Sequence, residues 1–140
     1  MPAYLTEIRH VQTEDAEQQA YDTIHGTRSL TQNDSLYLWF LEQVARYGPG
    51  KLLDVSCGEG TFLRFARRAG FEAVGIDFSQ IALRHACQSD PSSNLALADA
   101  QRLPFADESF DVVTNIGSLE HYFDTAEAAR EMAQIGRAHV

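Results

Sequence analysis

The sequence predicts an α/β fold, a doubly wound parallel sheet with helices on both faces, and three observations predict it. From Lys51 onward, short apolar runs bounded by turn residues alternate with helix-like segments, the pattern of a parallel sheet wrapped by its own crossovers. The first apolar run, Leu52-Leu53-Asp54-Val55, leads directly into a small-residue turn, Ser56-Cys57-Gly58-Glu59-Gly60. Two later runs, Ala73-Val74-Gly75-Ile76 and Leu95-Ala96-Leu97-Ala98, each end in an acid, Asp77 and Asp99. Asp77 follows Asp54 at about the length of one strand-helix-strand unit.

Two helices are expected ahead of the sheet, at 13–24 and 34–47. The second opens at a capping Asn33 or Asp34 and stops at Gly48-Pro49-Gly50. Its apolar residues Leu36, Leu38, Trp39, Phe40, Leu41 and Val44 form a broad face expected to pack beside the first strand. Strands follow at 51–56, 72–77, 94–98 and 110–116. Helices are expected at 60–69, at 79–88 behind a capping Ser79, and at 124–134 behind Asp124 or Thr125. Residues 1–50 thus form a helical lid or cap on a core at 51–134. Within the cap, Tyr4, His10, Tyr21 and His25 either line a substrate lid or decorate solvated helices, the second being the preferred reading.

The turn after the first strand suits a ligand. Gly58 and Gly60 lack side chains, so the backbone can bend sharply and offer amides at the start of the next helix. A dinucleotide fingerprint would place a third glycine where Leu63 stands, which weakens an NAD reading. Glu59 lies inside the turn and no Lys or Arg occurs from 54 to 63, so nothing supplies countercharge to a phosphate. A zwitterionic or cationic ligand fits better. Ligands of such sheets sit beyond the carboxyl ends of the strands, where Asp54, Asp77 and Asp99 are expected to line up as one cradle.

From Lys51 to Gln134 these residues resemble the class I S-adenosylmethionine-dependent methyltransferases, a Rossmann-like family, and most closely its type 11 small-molecule group. Asp54-Val55-Ser56-Cys57-Gly58-Glu59-Gly60 is similar to the family's D-V-G-C-G-x-G motif, with Ser56 replacing the first glycine. If Ser56 takes a positive φ, it is strained where glycine would not be. Val74-Gly75-Ile76-Asp77-Phe78-Ser79, Ala98-Asp99-Ala100-Gln101-Arg102-Leu103-Pro104-Phe105 and Asp107-Glu108-Ser109-Phe110-Asp111-Val112-Val113 continue the likeness in order.

The resemblance implies S-adenosylmethionine as cofactor and methyl transfer to a small molecule. It implies that the 54–60 turn, including Ser56, Cys57, Gly58 and Gly60, holds the methionine end. Asp77 takes the ribose diol, and Asp99 with the Ala100 amide meets the adenine. Phe78 and Leu103 wall the ring, and Asn115 belongs to the loop over the cofactor. Glu120 and His121 follow the fourth strand, where His121 is placed to accept a proton. Two rivals stand beside this reading: an NAD-dependent oxidoreductase, and a cofactor-binding fragment without turnover.

Composition sets limits. At 140 residues and 44% hydrophobic content the chain supports one core. Its net charge of −9 disfavours nucleic acid and anionic membranes as partners. Cys57 and Cys87 lie in no metal-type spacing, so no metal site is expected. The sequence has neither a long apolar run nor a charged-then-apolar leader, which points to a cytoplasmic setting. No feature speaks to oligomeric state.

The carboxyl end departs from the family. Where a Leu-x-Pro-Gly-Gly turn and a fifth strand are expected, the chain reads Ile135-Gly136-Arg137-Ala138-His139-Val140. Codons for this stretch resemble a widely used sequencing adapter, and residues 135–140 are read as a non-native tail. The sheet is then expected to be incomplete, with the fourth strand exposing an apolar edge prone to pairing between chains.

Overall fold

The computed structural model describes residues 34–140, so the helix expected at 13–24, together with Tyr4, His10, Tyr21 and His25, lies outside the described residues. Helix α1 (Asp34–Ala45) buries Tyr37 and Val44 and half-buries Phe40 and Leu41. These four recur at i, i+3, i+4 and i+7, a single helical stripe. Leu36, Leu38 and Trp39 are 46–52% exposed, so the broad face expected from the run of apolar residues narrows to that stripe. The helix rests mainly on α2 (Thr61–Arg68) rather than on the first strand, with the Tyr37 ring stacked 6.2 and 6.0 Å from Phe62 and Phe65.

The remaining elements follow the expected order. They are β1 (Lys51–Val55), α2, β2 (Glu72–Asp77), α3 (Gln80–Ser89), β3 (Asn94–Leu97), β4 (Phe110–Asn115), a 3₁₀ turn (Leu119–His121), α4 (Thr125–Ile135) and β5 (Gly136–His139). All five strands are parallel, in the spatial order β3-β2-β1-β4-β5. Strand order reverses between β1 and β4, which makes the gap beyond their carboxyl ends the natural ligand crevice.

Side chains alternate across the sheet with the two-residue strand period. Leu53, Val55, Val74, Ile76 and Val113 join Ala128, Met132 and Ile135 of α4 in one core. Leu52, Ala73 and Val112 join Tyr37 of α1 and Phe62, Leu63 and Ala66 of α2 in the other. Each fully buried Leu, Ile or Val side chain contributes roughly 1.5–3 kcal/mol, so the centre of the sheet carries most of the stability. Helix starts are fixed as expected: Ser79 Oγ accepts from Ala82 N–H at 3.1 Å, and Asp124 Oδ1 from Glu127 N–H at 2.9 Å.

The carboxyl end corrects the expectation of a bare edge. Residues 136–139 form β5 beside β4, with Phe110 opposite Gly136 and Val112 opposite Ala138. The pairing continues past the strand, with Val140 N–H bonded to Val113 O and Asn115 N–H to Val140 O, both at 3.0 Å. The physical reason is that these are main-chain bonds, which tolerate almost any side chain along an open edge. Gly136 is the exception. A Cβ there would lie 2.5 Å from Val113 Cγ2. Among the described residues the sheet has five strands, and the apolar edge expected at β4 is covered.

Candidate cofactor site

Beyond β1 the chain makes its glycine turn, with Ser56, Gly58 and Gly60 all at positive φ, 60°, 54° and 75°. The strain anticipated for Ser56 is therefore present. Cys57 N–H donates to Ile76 O at 2.9 Å, holding the turn against β2. Asp77 completes the fastening: Oδ2 accepts from Gly58 N–H and Oδ1 from Ser79 N–H, each at 2.8 Å. Its carboxylate thus ties the glycine turn to the start of α3 and is almost wholly buried.

Asp54 faces the α1–α2 side of the sheet, alternating with Leu53 and Val55. Its Oδ1 accepts from Thr114 Oγ1 at 2.7 Å, across the register that pairs the two residues. Burial pushes its carboxyl up to about 7, against the Thr114 hydrogen bond, and the nearby Asp77 charge adds to the rise. The same burial, with the charges of Asp77 and Asp54, pushes the Cys57 thiol well up. Cys57 packs its sulfur into the core, in room left by Gly75, where a Cβ would lie 2.7 Å from Sγ.

An open cleft lies over the carboxyl ends of the strands, floored by Val55, Ile76 and Ala98. Phe78, Asp99 and Ala100 form one wall. Asp99 Oδ1 accepts from Gln101 N–H at 2.8 Å and from Gln101 Nε2 at 3.3 Å, while Oδ2 carries no hydrogen bond among the described residues. A carboxylate oxygen with free lone pairs, set between an aromatic ring and small apolar side chains, fits an adenine and its amino group.

The opposite wall is the loop after β4, through His121, Tyr122 and Phe123. The His121 side chain is 68% exposed, with Nε2 3.7 Å from Glu120 Oε1. Tyr122 turns inward, its hydroxyl 2.6 Å from Ser56 Oγ and within reach of Asn115 Nδ2 and Ser118 Oγ. Burial raises the phenol above its usual range; the Ser118, Ser56 and Asn115 hydrogen bonds oppose that rise. Gln101 links the two walls, its Oε1 accepting from Asp124 N–H at 2.7 Å.

Of the residues expected at the site, Ser56, Phe78, Asp99, Ala100 and His121 line the cleft. Asp54, Cys57, Gly58, Gly60, Asp77 and Asn115 stand behind or beneath it, holding the turn and the loop in place. The picture of three acids around one hollow is corrected accordingly: Asp99 alone is on the wall. Strand alternation sends Asp54 to the opposite face, and the glycine turn covers Asp77. Leu103 belongs to the core, its N–H bonded to Glu131 Oε2 at 2.7 Å. Tyr122 and Gln101 were not anticipated, and their proximity to Ser56 and Asp99 depends on tertiary packing with no local signal. Among the described residues, no group of three or more His, Cys, Asp or Glu side chains could hold a metal ion, and no helix is long and apolar enough to cross a membrane.

A parallel 3-2-1-4-5 sheet with a glycine turn after β1 and a carboxylate-bearing cleft defines a Rossmann-like, nucleoside-cofactor class of protein. Residues 53–139 match the methyltransferase domain of type 11, and the chain belongs to that family of S-adenosylmethionine-dependent methyltransferases. A demethylmenaquinone methyltransferase of Roseiflexus sp. is 36% identical over 124 residues, covering 84% of this chain and 51% of the relative. A malonyl-[acyl-carrier protein] O-methyltransferase of Pseudescherichia vulneris is 29% identical over 119 residues, covering 85% and 45%. The chain spans about half the length of the curated relatives it matches. Among solved structures, the PH0226 protein of Pyrococcus horikoshii superposes with a TM-score of 0.67 at 26% identity, covering 90% of this chain and 57% of that one. The [4+2]-cyclase SpnF shares the fold at a TM-score of 0.73 and 24% identity, covering 85% and 56%.

Proposed function

We propose that this chain is the donor-binding part of an enzyme that transfers the methyl group of S-adenosylmethionine to a small-molecule acceptor. The observation that carries the reading is the free Asp99 Oδ2 on the wall of an apolar-floored cleft at the switch point of the sheet, in a chain of this family. Asp99 accepts from the adenine amino group, Phe78 and Ala98 flank the ring, and the Ala100 amide meets its edge. Asp77, almost wholly buried, fastens the glycine turn to the start of α3 through the Gly58 and Ser79 N–H groups and so shapes the ribose end of the site. The 54–60 turn holds the methionine end.

When bound, the sulfonium supplies an activated methyl group and a good leaving group. The chain's residues therefore contribute orientation and proximity more than bond-breaking chemistry. His121, at the mouth of the cleft, takes the proton of an acceptor that arrives protonated. Calorimetric titration with S-adenosylhomocysteine tests the reading. Hydrogen bonds to a charged acceptor contribute about 1.5–3 kcal/mol, so Asp99→Ala is expected to weaken binding by at least about tenfold. A folded wild-type chain that ignores the ligand, or binds NAD instead, would overturn the assignment.

A second reading, cofactor binding without turnover, draws on the chain's span of about half its relatives and on a fold it shares with a cyclase. A donor-consumption screen against small hydroxylated and amine acceptors separates the two. Tight S-adenosylhomocysteine binding with no consumption by the whole parent protein favours the second.

A further inference from the structure

Ser56 occupies a left-handed backbone position at φ 60°, where a side chain is strained, and something must hold it there. Its hydroxyl meets Tyr122, whose ring packs against the α4-side core and is thereby fixed in direction. The meeting follows from the sheet. Val55 and Asn115 are register partners at the ends of β1 and β4, so the turn and the loop leave the sheet side by side.

The protons can be assigned consistently. Asn115 Nδ2 lies 3.1 Å from Val55 O, 3.0 Å from Ser118 Oγ and 2.5 Å from the Tyr122 oxygen, and in this assignment its two hydrogens serve Val55 and Tyr122. Ser118 donates to Asn115 Oδ1 at 3.2 Å. The Tyr122 proton is then free for Ser56 Oγ, 2.6 Å away. Burial keeps the phenol in its protonated, donating form.

We propose that Ser56 and Tyr122 are a positioning pair for the donor, their hydroxyl-to-hydroxyl hydrogen bond clamping the glycine turn to the loop after β4 and setting the methionine end of the site. This deepens the donor-binding reading and rests on it. The Asn115 amide acts through Tyr122, a role distinct from touching the cofactor. A glycine at position 56 would need no such clamp, because it adopts positive φ without strain.

The test is titration of S-adenosylhomocysteine into four variants, with melting temperature measured alongside. Loss of one net hydrogen bond is expected to weaken binding about fivefold in Tyr122→Phe and equally in Ser56→Ala, which keeps the ring and the strain. With glycine already at position 56, adding Tyr122→Phe is expected to change affinity by less than about twofold relative to Ser56→Gly alone, since glycine removes the need for the bond. A purely structural role would lower the melting temperature of Tyr122→Phe and leave affinity alone. Wild-type affinity in Ser56→Ala overturns the pair, as does a Tyr122→Phe effect of the same size whether position 56 is serine or glycine. Absence of binding by the folded wild type overturns the site itself, and the pair with it.

Discussion

Asp54 sits one residue short of the end of β1, and that single position decides its chemistry. Facing the sheet's interior side, it hydrogen-bonds to Thr114 and titrates at about 7, driven up chiefly by burial. Its unfolded value is about 3.9, so the folded chain binds the extra proton between these limits. The stabilising contribution is complete below the unfolded value and disappears as pH rises through 7. Melting temperature is therefore expected to climb as pH falls from about 8 to about 5, and Asp54→Asn to flatten that climb. A wild-type profile without slope in this window would show that Asp54 is ionised throughout. At this scale the sequence was readable where a residue's role is local. The turn glycines and the Ser79 cap needed only neighbours in sequence, whereas the place of Asp99 beside the ligand came from the family resemblance. The orientation of Asp54 depended on where β1 ends, and the contacts of Tyr122 on two loops meeting.

Elements were legible wherever the period of burial was clean. The bounds of β2 emerged as expected, and the other strands and helices starting after Lys51 differ by a residue or two. Helix α1 misled because Leu36, Leu38 and Trp39 sit among the residues of the buried stripe, so composition concealed the spacing. Two substitutions examine these elements. Ser79→Ala removes the oxygen that receives Ala82 N–H and is expected to cost about 1 kcal/mol in chemical denaturation. Gly136→Ala drives a methyl into Val113 at the β4–β5 seam and is expected to cost roughly 1–3 kcal/mol. A neutral Gly136→Ala would mean that β5 is not seated against β4. The fifth strand escaped notice because edge pairing uses the backbone, which leaves little trace in side-chain pattern.

For the molecule as a whole, β5 separates a covered sheet from one with an apolar flank. A chain ending at Ile135 is expected to melt lower and to form larger species in light scattering, since β4 would then offer unpaired N–H and C=O groups beside Val112 and Val113. Equal size and melting temperature for the two chains would make the strand dispensable. Fold alone does not decide chemistry, since a cyclase shares this architecture; the cleft residues do. Parallel pairing also places Val140 at the carboxyl end of the sheet. Val140 is bonded to Asn115 N–H, at the same end of the sheet as the ligand crevice. A reporter or affinity handle fused after Val140 therefore emerges at that end of the sheet rather than at the opposite one.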